Sequence, residues 1–460
     1  MKFASHPCLE GDGQRYTYQQ VHQTLALMQP HFIERQLVLC LCENTPSALL
    51  AYLSCLEFNQ VAILVDAAQK TAALQSIIDQ HDPALIWLPE RRCAEFGAGS
   101  VEYRLGSYVL WRRTAAPLAL HPELQLLLTT SGSTGSSKFV RLSRQNLLAN
   151  ASAICRYLDI RASDVAVTTL PFSYSFGLSI IHTHLLMGAS IQLTELTPLS
   201  RDFWNLLQDK AVTSLSGVPY TFDMLKRVKL ERFELPALRY LTQAGGKLGP
   251  DGLAYLLRLA QEKHWSCYVM YGQTEASARM AYLPAEWLER KLGSIGQAIP
   301  DGRFELVDEQ RQVIEGAAVK GELVYYGPNV ALGYATCRAD LAKGDEWQGR
   351  LYTGDVAYRD ADGCYYIAGR LKRFLKIFGN RVSLDEVEAL LAQAYPAHEF
   401  LAYGQDDALR LAYVGAQPAE ELTAFLARQL GLHRTAIRCH ALAALPRLGN
   451  GKIDYAALAV

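Results

Sequence analysis

Short apolar runs alternate with helix-like segments through the front half of the chain. The runs are rich in Val, Ile and Leu and end at polar breaks; they read RQLVLCLC, QVAILVD, PALIWL, ELQLLLTT and ASIQLTEL. Between several of them lie segments with helical spacing of apolar residues, such as SALLAYLSCLEF and AALQSIIDQH. Apolar strands that alternate with helices are typical of a sheet covered on both faces. The front of the chain is therefore predicted to be an α/β domain.

The pattern changes near Leu292, where glycine-punctuated strand-like segments begin. They read GSIGQAIPDGRFELVDEQ, KGELVYYGP and DVAYRDADGCYYIAGR. The DADG tetrapeptide between two aromatic-rich runs predicts a β-hairpin. We expect these segments to form a smaller β-rich layer attached to the front domain.

The last part of the chain is predicted to be a separate small domain. It contains two helix-like segments, SLDEVEALLAQAY and AEELTAFLARQLG, and the strand-like RLAYVGA. Ser383 is the predicted N-cap of the first helix, and Glu386 is spaced to complete a capping box. Because 460 residues exceed a single typical core, we predict two domains. These are an α/β N-terminal domain (1–370), with mixed α/β layers plus the β-rich layer, and a small mobile α+β C-terminal domain (371–460).

Charge and cysteine usage exclude several function classes. The formal net charge of −1 supplies no broad field for nucleic acid or a membrane surface. Ten cysteines are scattered without a CxxC pair, and the lone CxC at Cys40 and Cys42 fits one buried strand better than a zinc site. The first residues lack the apolar core of a signal peptide, and no segment has the length of a membrane span. A cytoplasmic protein with reduced core thiols is expected.

A ribbon of glycine and hydroxyl residues, TTSGSTGSSK, follows the apolar run LQLLL directly and ends at Lys138. Its glycines, hydroxyls and terminal cation suit a phosphate-binding loop between a strand and a helix capped by Ser143. It is not a P-loop, because that motif needs glycine immediately before the lysine and Ser137 stands there. Taken alone, the ribbon also fits a flexible surface loop.

Five further motifs accompany the ribbon in a fixed order. They read TQAGGKL, YGQTEAS, GELVYYGPNVALGY, LYTGDVAYRDADGCYYIAGRLKRFLK and LPRLGNGKID. With LLLTTSGSTGSSKFVRLSRQNL, this set resembles the adenylate-forming enzymes, the family of acyl-CoA synthetases, carrier-protein adenylation domains and luciferase. The resemblance covers nearly the whole chain. It implies that ATP and a carboxylic acid react to an acyl-adenylate and pyrophosphate, and that a thiol then takes the acyl group.

The resemblance also implies which residues bind ATP and Mg²⁺. Those implied for the phosphates are Thr130, Ser131, Thr134 and Lys138. Glu275 would bind the magnesium ion, and Thr274 would contact the α-phosphate. Tyr271 would stack on adenine, with the Gly245–Gly246 backbone on the other face. Asp355 would accept hydrogen bonds from the ribose hydroxyls, supported by Arg370.

Three residues near the tail carry further implied roles. Lys452 would bridge the substrate carboxylate and the α-phosphate during adenylation and leave when the tail domain rotates. Lys372 falls at the interdomain hinge, and Gly379 matches the glycine that lets a pantetheine arm pass. The basic stretch RLKRFLKIFGNR could suggest a nucleic-acid patch, but it is short and coincides with this hinge, so no nucleic-acid partner is expected.

The segment LPFSYSFGLSIIHTHLLMGAS is similar to the substrate-side segment of the family. Activators of α-amino acids usually carry an Asp here, and none occurs between Pro171 and Ser190. A fatty or other non-amino acid is therefore the expected substrate, with an aryl or amino acid as the alternative. The implied pocket residues, which fit ordinary core packing equally well, are Phe172, Tyr174, Phe176, Gly177, Val218 and Pro219.

The thiol acceptor and two competing functions stay open. An acyl carrier protein and CoA share the pantetheine arm, and the sequence around Gly379 slightly favours a carrier protein. A non-catalytic nucleotide-binding member of the fold is a second possibility, and a P-loop ATPase is a third that Ser137 weakens. Phe139 departs from the small residue usual after the loop lysine in the family.

Overall fold

The computed structural model describes residues 3–129, 138–371, 373–378, 380–448, 453–454 and 456–458. Their contacts divide the chain into two compact units. Unit 1 runs to Arg303 and includes Tyr325–Leu351, whereas unit 2 contains Phe304–Val324 and most of the chain from Tyr352 onward. The division into independent domains after residue 370 stays a prediction.

Strands occur throughout both units. In chain order the strands of the described residues are β1 (Pro7–Gly11), β2 (Gln14–Thr17), β3 (Leu37–Cys42), β4 (Val61–Asp66), β5 (Leu85–Pro89), β6 (Ser100–Leu105), β7 (Tyr108–Arg112), β8 (Leu124–Thr129), β9 (Phe139–Ser143), β10 (Val165–Val167), β11 (Ser190–Gln192), β12 (Ser214–Gly217), β13 (Tyr240–Gln243), β14 (Ser266–Tyr271), β15 (Ala281–Tyr282), β16 (Gln297–Ala298), β17 (Arg303–Val307), β18 (Gly321–Tyr326), β19 (Gly333–Ala335), β20 (Arg350–Arg359), β21 (Tyr365–Arg370), β22 (Phe374–Ile377), β23 (Asn380–Ser383), β24 (Glu399–Gln405), β25 (Ala408–Val414) and β26 (Ile437–Ala441).

The α-helices cover the sheets. In the described residues they are α1 (Tyr18–Met28), α2 (Pro46–Glu57), α3 (Thr71–His81), α4 (Arg144–Leu158), α5 (Ser175–Met187), α6 (Arg201–Asp209), α7 (Pro219–Val228), α8 (Pro250–Lys263), α9 (Leu384–Ala394) and α10 (Ala419–Leu430).

Two large sheets form unit 1. One has the strand order β19-β9-β8-β4-β3-β5-β7-β6, and the other β16-β15-β14-β13-β12-β10-β11-β1-β2. The pairs β3–β4, β4–β8 and β3–β5 of the first sheet are parallel, as are β10–β12, β12–β13 and β13–β14 of the second. Every residue of Leu37–Cys42 is buried, which explains why this strand is apolar without alternation. The predicted mixed α/β fold of the front domain is confirmed.

Local sequence signals explain where several helices of unit 1 begin. Thr45 caps α2, because its hydroxyl accepts from the amide of Ala48, and Pro46 follows where a missing N–H costs nothing. Ser143 caps α4 in a reciprocal box with Asn146, at 3.0 and 2.9 Å. The predicted cap at Ser143 is therefore confirmed.

Arg141 on β9 fastens this strand to a distant part of unit 1. Its side chain is fully buried. The guanidinium donates to the carbonyls of Tyr334, Leu332 and Gly344 at 3.0–3.1 Å. It also pairs with Glu346 Oε2 at 2.5 Å. A buried cation needs such partners, so β9 and the segment after β19 depend on each other.

Unit 2 contains a four-stranded sheet of order β17-β18-β20-β21, a β22–β23 ribbon, and the three-stranded sheet β24-β25-β26. Helices α9 and α10 share one apolar core with β22–β25. The predicted DADG hairpin is confirmed, since β20 pairs antiparallel with β21 and Asp360 Oδ1 accepts from the amides of Asp362 and Cys364. Ser383 caps α9 through the Glu386 amide at 3.2 Å. The Glu386 side chain instead lies 3.8 Å from Lys320, so the reciprocal half of the predicted box is not among the described contacts.

The state of the cysteines and the lengths of the helices match what the sequence led us to expect. All ten cysteines are free thiols, and most are buried. Cys40 and Cys42 lie on the buried strand β3, as predicted. Within the described residues, no helix combines the length and the apolar character that crossing a bilayer requires.

Buried histidines make the stability of unit 1 depend on pH. His81 is fully buried with its ring edge-on to Phe139, and neither of its ring nitrogens has a described hydrogen-bond partner. His182 lies 2.8 Å from the Tyr52 hydroxyl. Burial lowers the pKa of each imidazole from 6.5 to about 4. The folded state then excludes protons that the unfolded chain binds, so the free energy of unfolding should be constant above about pH 6.5 and fall between pH 6.5 and 4.

Urea denaturation followed by tryptophan fluorescence measures this dependence, because all six tryptophans lie in unit 1. We expect His81→Leu to remove up to about 1.4 kcal/mol per pH unit of the slope in that window. The exposed His22 supplies the control His22→Gln, which should keep the wild-type slope. Equal slopes for wild type and His81→Leu would contradict the assignment.

Candidate functional site

The glycine- and hydroxyl-rich ribbon connects two neighbouring antiparallel strands. β8 and β9 pair with Thr129 opposite Phe139, and Lys138 immediately precedes β9. The predicted helix begins after its cap Ser143, but the sequence reasoning missed β9, which lies between the ribbon and α4. Phe139 is fully buried against the ring of His81, at 5.2 Å between ring centroids, so it anchors the end of the ribbon. The predicted phosphate-binding residues Thr130, Ser131 and Thr134 lie outside the described residues.

Lys138, Tyr334 and Glu275 form a connected array in unit 1. Lys138 Nζ lies 3.3 Å from the centroid of the Tyr334 ring, a cation–π contact. The Tyr334 hydroxyl donates to Glu275 Oε1 at 2.9 Å. Burial, reinforced by the negative charge of Glu275, raises the pKa of Tyr334, so this phenol stays a donor. The structure therefore brings together two of the predicted site residues through a third that the sequence reasoning missed.

A tight connection between β14 and β15 positions Glu275. The Met280 amide donates to the Tyr271 carbonyl at 2.9 Å, which closes the connection. A Cβ atom at Gly272 would lie 1.7 Å from the Ala278 carbonyl oxygen, so only glycine fits there. The enclosed segment contains the short 3₁₀ turn Thr274–Ala276. The predicted adenine, α-phosphate and metal residues thus lie on one constrained loop.

This loop contacts the start of helix α5. Thr274 Oγ1 lies 3.2 Å from Ser175 Oγ, and both side chains are buried. The contact joins the predicted α-phosphate residue to the substrate-side segment.

The Gly245–Gly246 pair follows β13 and packs against predicted pocket residues. Gly245 has φ +80°, and a Cβ there would lie 2.7 Å from the Tyr174 hydroxyl. A Cβ at Gly246 would lie 3.0 Å from Pro219 Cγ. Gln243 Nε2 donates to the Gly246 carbonyl at 2.8 Å and holds the turn. The close approach of Tyr174 and Pro219 to the backbone, rather than a need for flexibility, explains why glycine occupies these two positions.

The predicted acyl-pocket residues fall into separate environments. Tyr174, Phe176 and Val218 belong to one apolar cluster. Phe172 instead lies in the main core of unit 1. Gly177 is required by packing, because a Cβ there would lie 2.3 Å from the Pro171 carbonyl oxygen.

Unit 2 brings Asp355 and Arg370 together. Arg370 Nε donates to Asp355 Oδ1 at 3.0 Å across the β20–β21 pair. The Asp355 side chain is only 2% exposed, whereas that of Arg370 is 62% exposed. Asp385 Oδ2 accepts from the Arg370 amide at 3.0 Å. This arrangement presents a buried carboxylate paired with an exposed cation. The predicted hinge, tunnel and catalytic residues Lys372, Gly379 and Lys452 lie outside the described residues.

A magnesium ion fits at Glu275 only if ATP phosphates supply most of its other ligands. The described residues contain no cluster of three or more His, Cys, Asp or Glu that could hold a metal by themselves. Glu275 offers a half-buried carboxylate on a rigid loop. Mg²⁺ is commonly held by one or two carboxylates plus substrate phosphates and water, so Glu275 suits such an ion.

The structure adds Ser175 and Tyr334 to the site, and it places Arg279 over the ring of the predicted pocket residue Phe176. Tyr334 ends the motif GELVYYGPNVALGY, but its role depends on the pairing of β19 with β9, which no local pattern shows. Arg279 stands alone in the run ARMAYLP just after the YGQTEAS motif. This isolated charge in an apolar run is the sequence signal by which Arg279 could have been predicted.

Comparison with known proteins places this site in context. The profile of the family described as "AMP-binding enzyme" matches residues 1–335. The 2-succinylbenzoate–CoA ligase of Bacillus cereus is 29% identical over 72% of this chain and 68% of its own length. The medium-chain fatty-acid–CoA ligase of Escherichia coli is 28% identical over 72% of this chain and 60% of its own.

A solved structure shares the fold. The O-succinylbenzoate coenzyme A synthetase of Bacillus subtilis, in complex with ATP and a magnesium ion, superimposes with a TM-score of 0.75 at 20% identity. The alignment covers 96% of this chain and 97% of that one.

Proposed function

Because the chain belongs to the AMP-binding enzyme family and is an AMP-forming acid–thiol ligase, we propose that it joins a carboxylic acid to CoA in two steps. The acid carboxylate attacks the α-phosphate of ATP and displaces pyrophosphate. The CoA thiolate then attacks the acyl carbon, releasing AMP and forming the thioester. The observation that carries this proposal is the Lys138–Tyr334–Glu275 array beside the Thr274 loop.

Each part of the array suits one demand of the first step. Lys138 supplies positive charge at the end of the ribbon, where the β- and γ-phosphates would be held. Thr274 offers a hydroxyl to the α-phosphate, and Ser175 fixes its orientation. Glu275 would hold Mg²⁺, which would neutralise triphosphate charge when bound. Asp355 and Arg370 would bind the ribose.

CoA is the proposed acceptor. The curated relatives compared above are CoA ligases, so they lend no support to the carrier protein that the sequence slightly favoured. Mass analysis of the product formed with CoA, and in parallel with purified acyl carrier protein, decides between the two.

The test of the function is carboxylate-dependent exchange of labelled pyrophosphate into ATP. We expect exchange with at least one acid from a panel of aliphatic, aromatic and dicarboxylic acids. Adding CoA should then yield the acyl-CoA and AMP in equal amounts. Absence of exchange with every acid, together with intact ATP binding, would favour a non-catalytic nucleotide-binding protein. Phosphate release without any acid would favour an ATPase.

Replacing Tyr334 with phenylalanine should raise the Mg²⁺ concentration needed for half-maximal exchange by about 10-fold, because Glu275 loses the hydrogen bond that orients it. The ring under Lys138 is kept, so the requirement for ATP should change less. The control is Tyr103→Phe, because Tyr103 is remote from Tyr334 in the sequence and packs against Trp87 instead. An unchanged Mg²⁺ dependence in Tyr334→Phe would argue against Glu275 as the metal residue.

A further inference from the structure

Arg279 carries a buried positive charge without an acidic partner in the described part of unit 1. Its side chain is 2% exposed, and its guanidinium carbon lies 4.6 Å from the centroid of the Phe176 ring. Its Nε atom has no described acceptor. The groups that interact with the guanidinium are the neutral phenols of Tyr157, which hydrogen-bonds to it, and Tyr174, and no described carboxylate is among them. Burial without a counter-charge is costly for a guanidinium.

The backbone around Arg279 is held in a demanding conformation. Ser277 has φ +57° and Ala278 has φ +110°, which costs about 1–3 kcal/mol per residue for side chains of this kind. The Arg279 carbonyl accepts from Asn150 Nδ2 at 2.8 Å and from Asn329 Nδ2 at 2.9 Å. Two buried amides therefore fix the point from which this side chain extends. Strain of this kind concentrates at ligand-binding sites.

The surroundings of the guanidinium are those of the proposed acyl pocket. Phe176, Tyr174 and Val218 share one apolar cluster, and the Tyr174 hydroxyl closes against Gly245. The Tyr157 hydroxyl donates to Met270 Sδ at 3.0 Å, so its oxygen remains able to accept from Arg279. The pocket side of the Glu275 loop thus combines apolar walls with one fixed cation.

We propose that Arg279 binds a second carboxylate at the far end of the acyl substrate, so that this enzyme activates a dicarboxylic acid. This inference rests on the proposed ligase function. An alkyl chain would leave the buried guanidinium without a counter-charge and its Nε atom without an acceptor, and a substrate ammonium would meet a like charge. A distal carboxylate pairs with the guanidinium in the planar, two-bond geometry that arginine favours. The reacting carboxylate stays at the other end of the molecule, toward Thr274.

Matched acids test the proposal. Pyrophosphate exchange is measured with α,ω-dicarboxylic acids and aryl dicarboxylic acids of increasing length. Each is compared with its monoamide, in which the distal carboxylate becomes a neutral amide of the same size. We expect kcat/KM for the best diacid to exceed that of its monoamide by about 100-fold or more. A wild-type enzyme that uses the monoamide or an alkyl acid equally well would overturn the proposal.

Variants of Arg279 show whether this residue causes the preference for the diacid over its monoamide. Arg279→Met replaces the guanidinium with an unbranched apolar side chain that carries no charge. The ratio of kcat/KM for the diacid to that for its monoamide should therefore fall to near one. Arg279→Lys should keep part of the preference. A uniform loss with every acid and an unchanged ratio would instead assign Arg279 to the reacting carboxylate or to structure. Should Arg279→Met fail to fold, the wild-type ratio alone decides. Absence of exchange with every acid would count against the ligase function itself, whereas exchange with monocarboxylic acids alone would count only against the diacid.

Discussion

Replacing Lys452 with alanine is expected to lower the rate of acyl-adenylate formation by about 100- to 1,000-fold, the loss typical of removing one preorganised electrostatic contact. The reacting carboxylate and the α-phosphate are both anions, and their approach needs a cation placed between them. The motif LPRLGNGKID supplies Lys452 for this role by resemblance. Exchange of labelled pyrophosphate at saturating ATP and acid measures the first step directly.

The second step separates a catalytic lysine from a structural one. With preformed acyl-adenylate, the rate of thioester formation in Lys452→Ala should stay within a few-fold of wild type. The control Lys320→Ala changes an exposed lysine of unit 2, 3.8 Å from Glu386, and should leave both rates unchanged. Equal losses in the two steps would contradict the assignment of Lys452 to adenylation.

Replacing Asp355 with asparagine should raise KM for ATP by about 10- to 100-fold, because hydrogen bonds to a charged group contribute about 1.5–3 kcal/mol. The carboxylate is buried and paired with Arg370, so its orientation is set before the proposed ribose contact forms. Asparagine keeps the shape but offers one acceptor oxygen where the carboxylate offers two. Initial rates over a range of ATP concentrations give the KM.

Deoxy analogues of ATP sharpen this measurement. Wild type should discriminate strongly against 3′-deoxy-ATP, and Asp355→Asn should discriminate much less, because the missing hydroxyl no longer meets a carboxylate. Asp362→Asn, on the exposed turn of the same hairpin, is the matched control. Undiminished discrimination in Asp355→Asn would place the ribose elsewhere.

Much of the fold was predictable because the signals are local. Leu37–Cys42 and Val61–Asp66 are unbroken apolar runs, and buried parallel strands need that composition. The strand Phe139–Ser143 was missed because it contains Arg141, a residue seldom buried. Its burial depends on carbonyls far along the chain, and no nearby residue indicates them.

The same reasoning applies to the site. Glu275 and Asp355 stand in motifs that resemble those of the adenylate-forming family, so the resemblance pointed to them. The Tyr334–Glu275 hydrogen bond and the burial of Arg279 arise only when separate segments pack together. Long-range packing therefore hid Tyr334, which positions the proposed metal residue Glu275.

The Arg141 contacts also bear on the order in which the chain can fold during synthesis. The partners of this guanidinium end at Glu346, so a ribosome must make most of the protein before β9 can bury its cation. Until β19 is made and pairs with it, β9 is an uncovered sheet edge, a template for pairing with other chains. Completion of the sheet that carries the ribbon is thus a late event, and nascent chains that stop before Gly333 leave the edge of β9 open to aggregation.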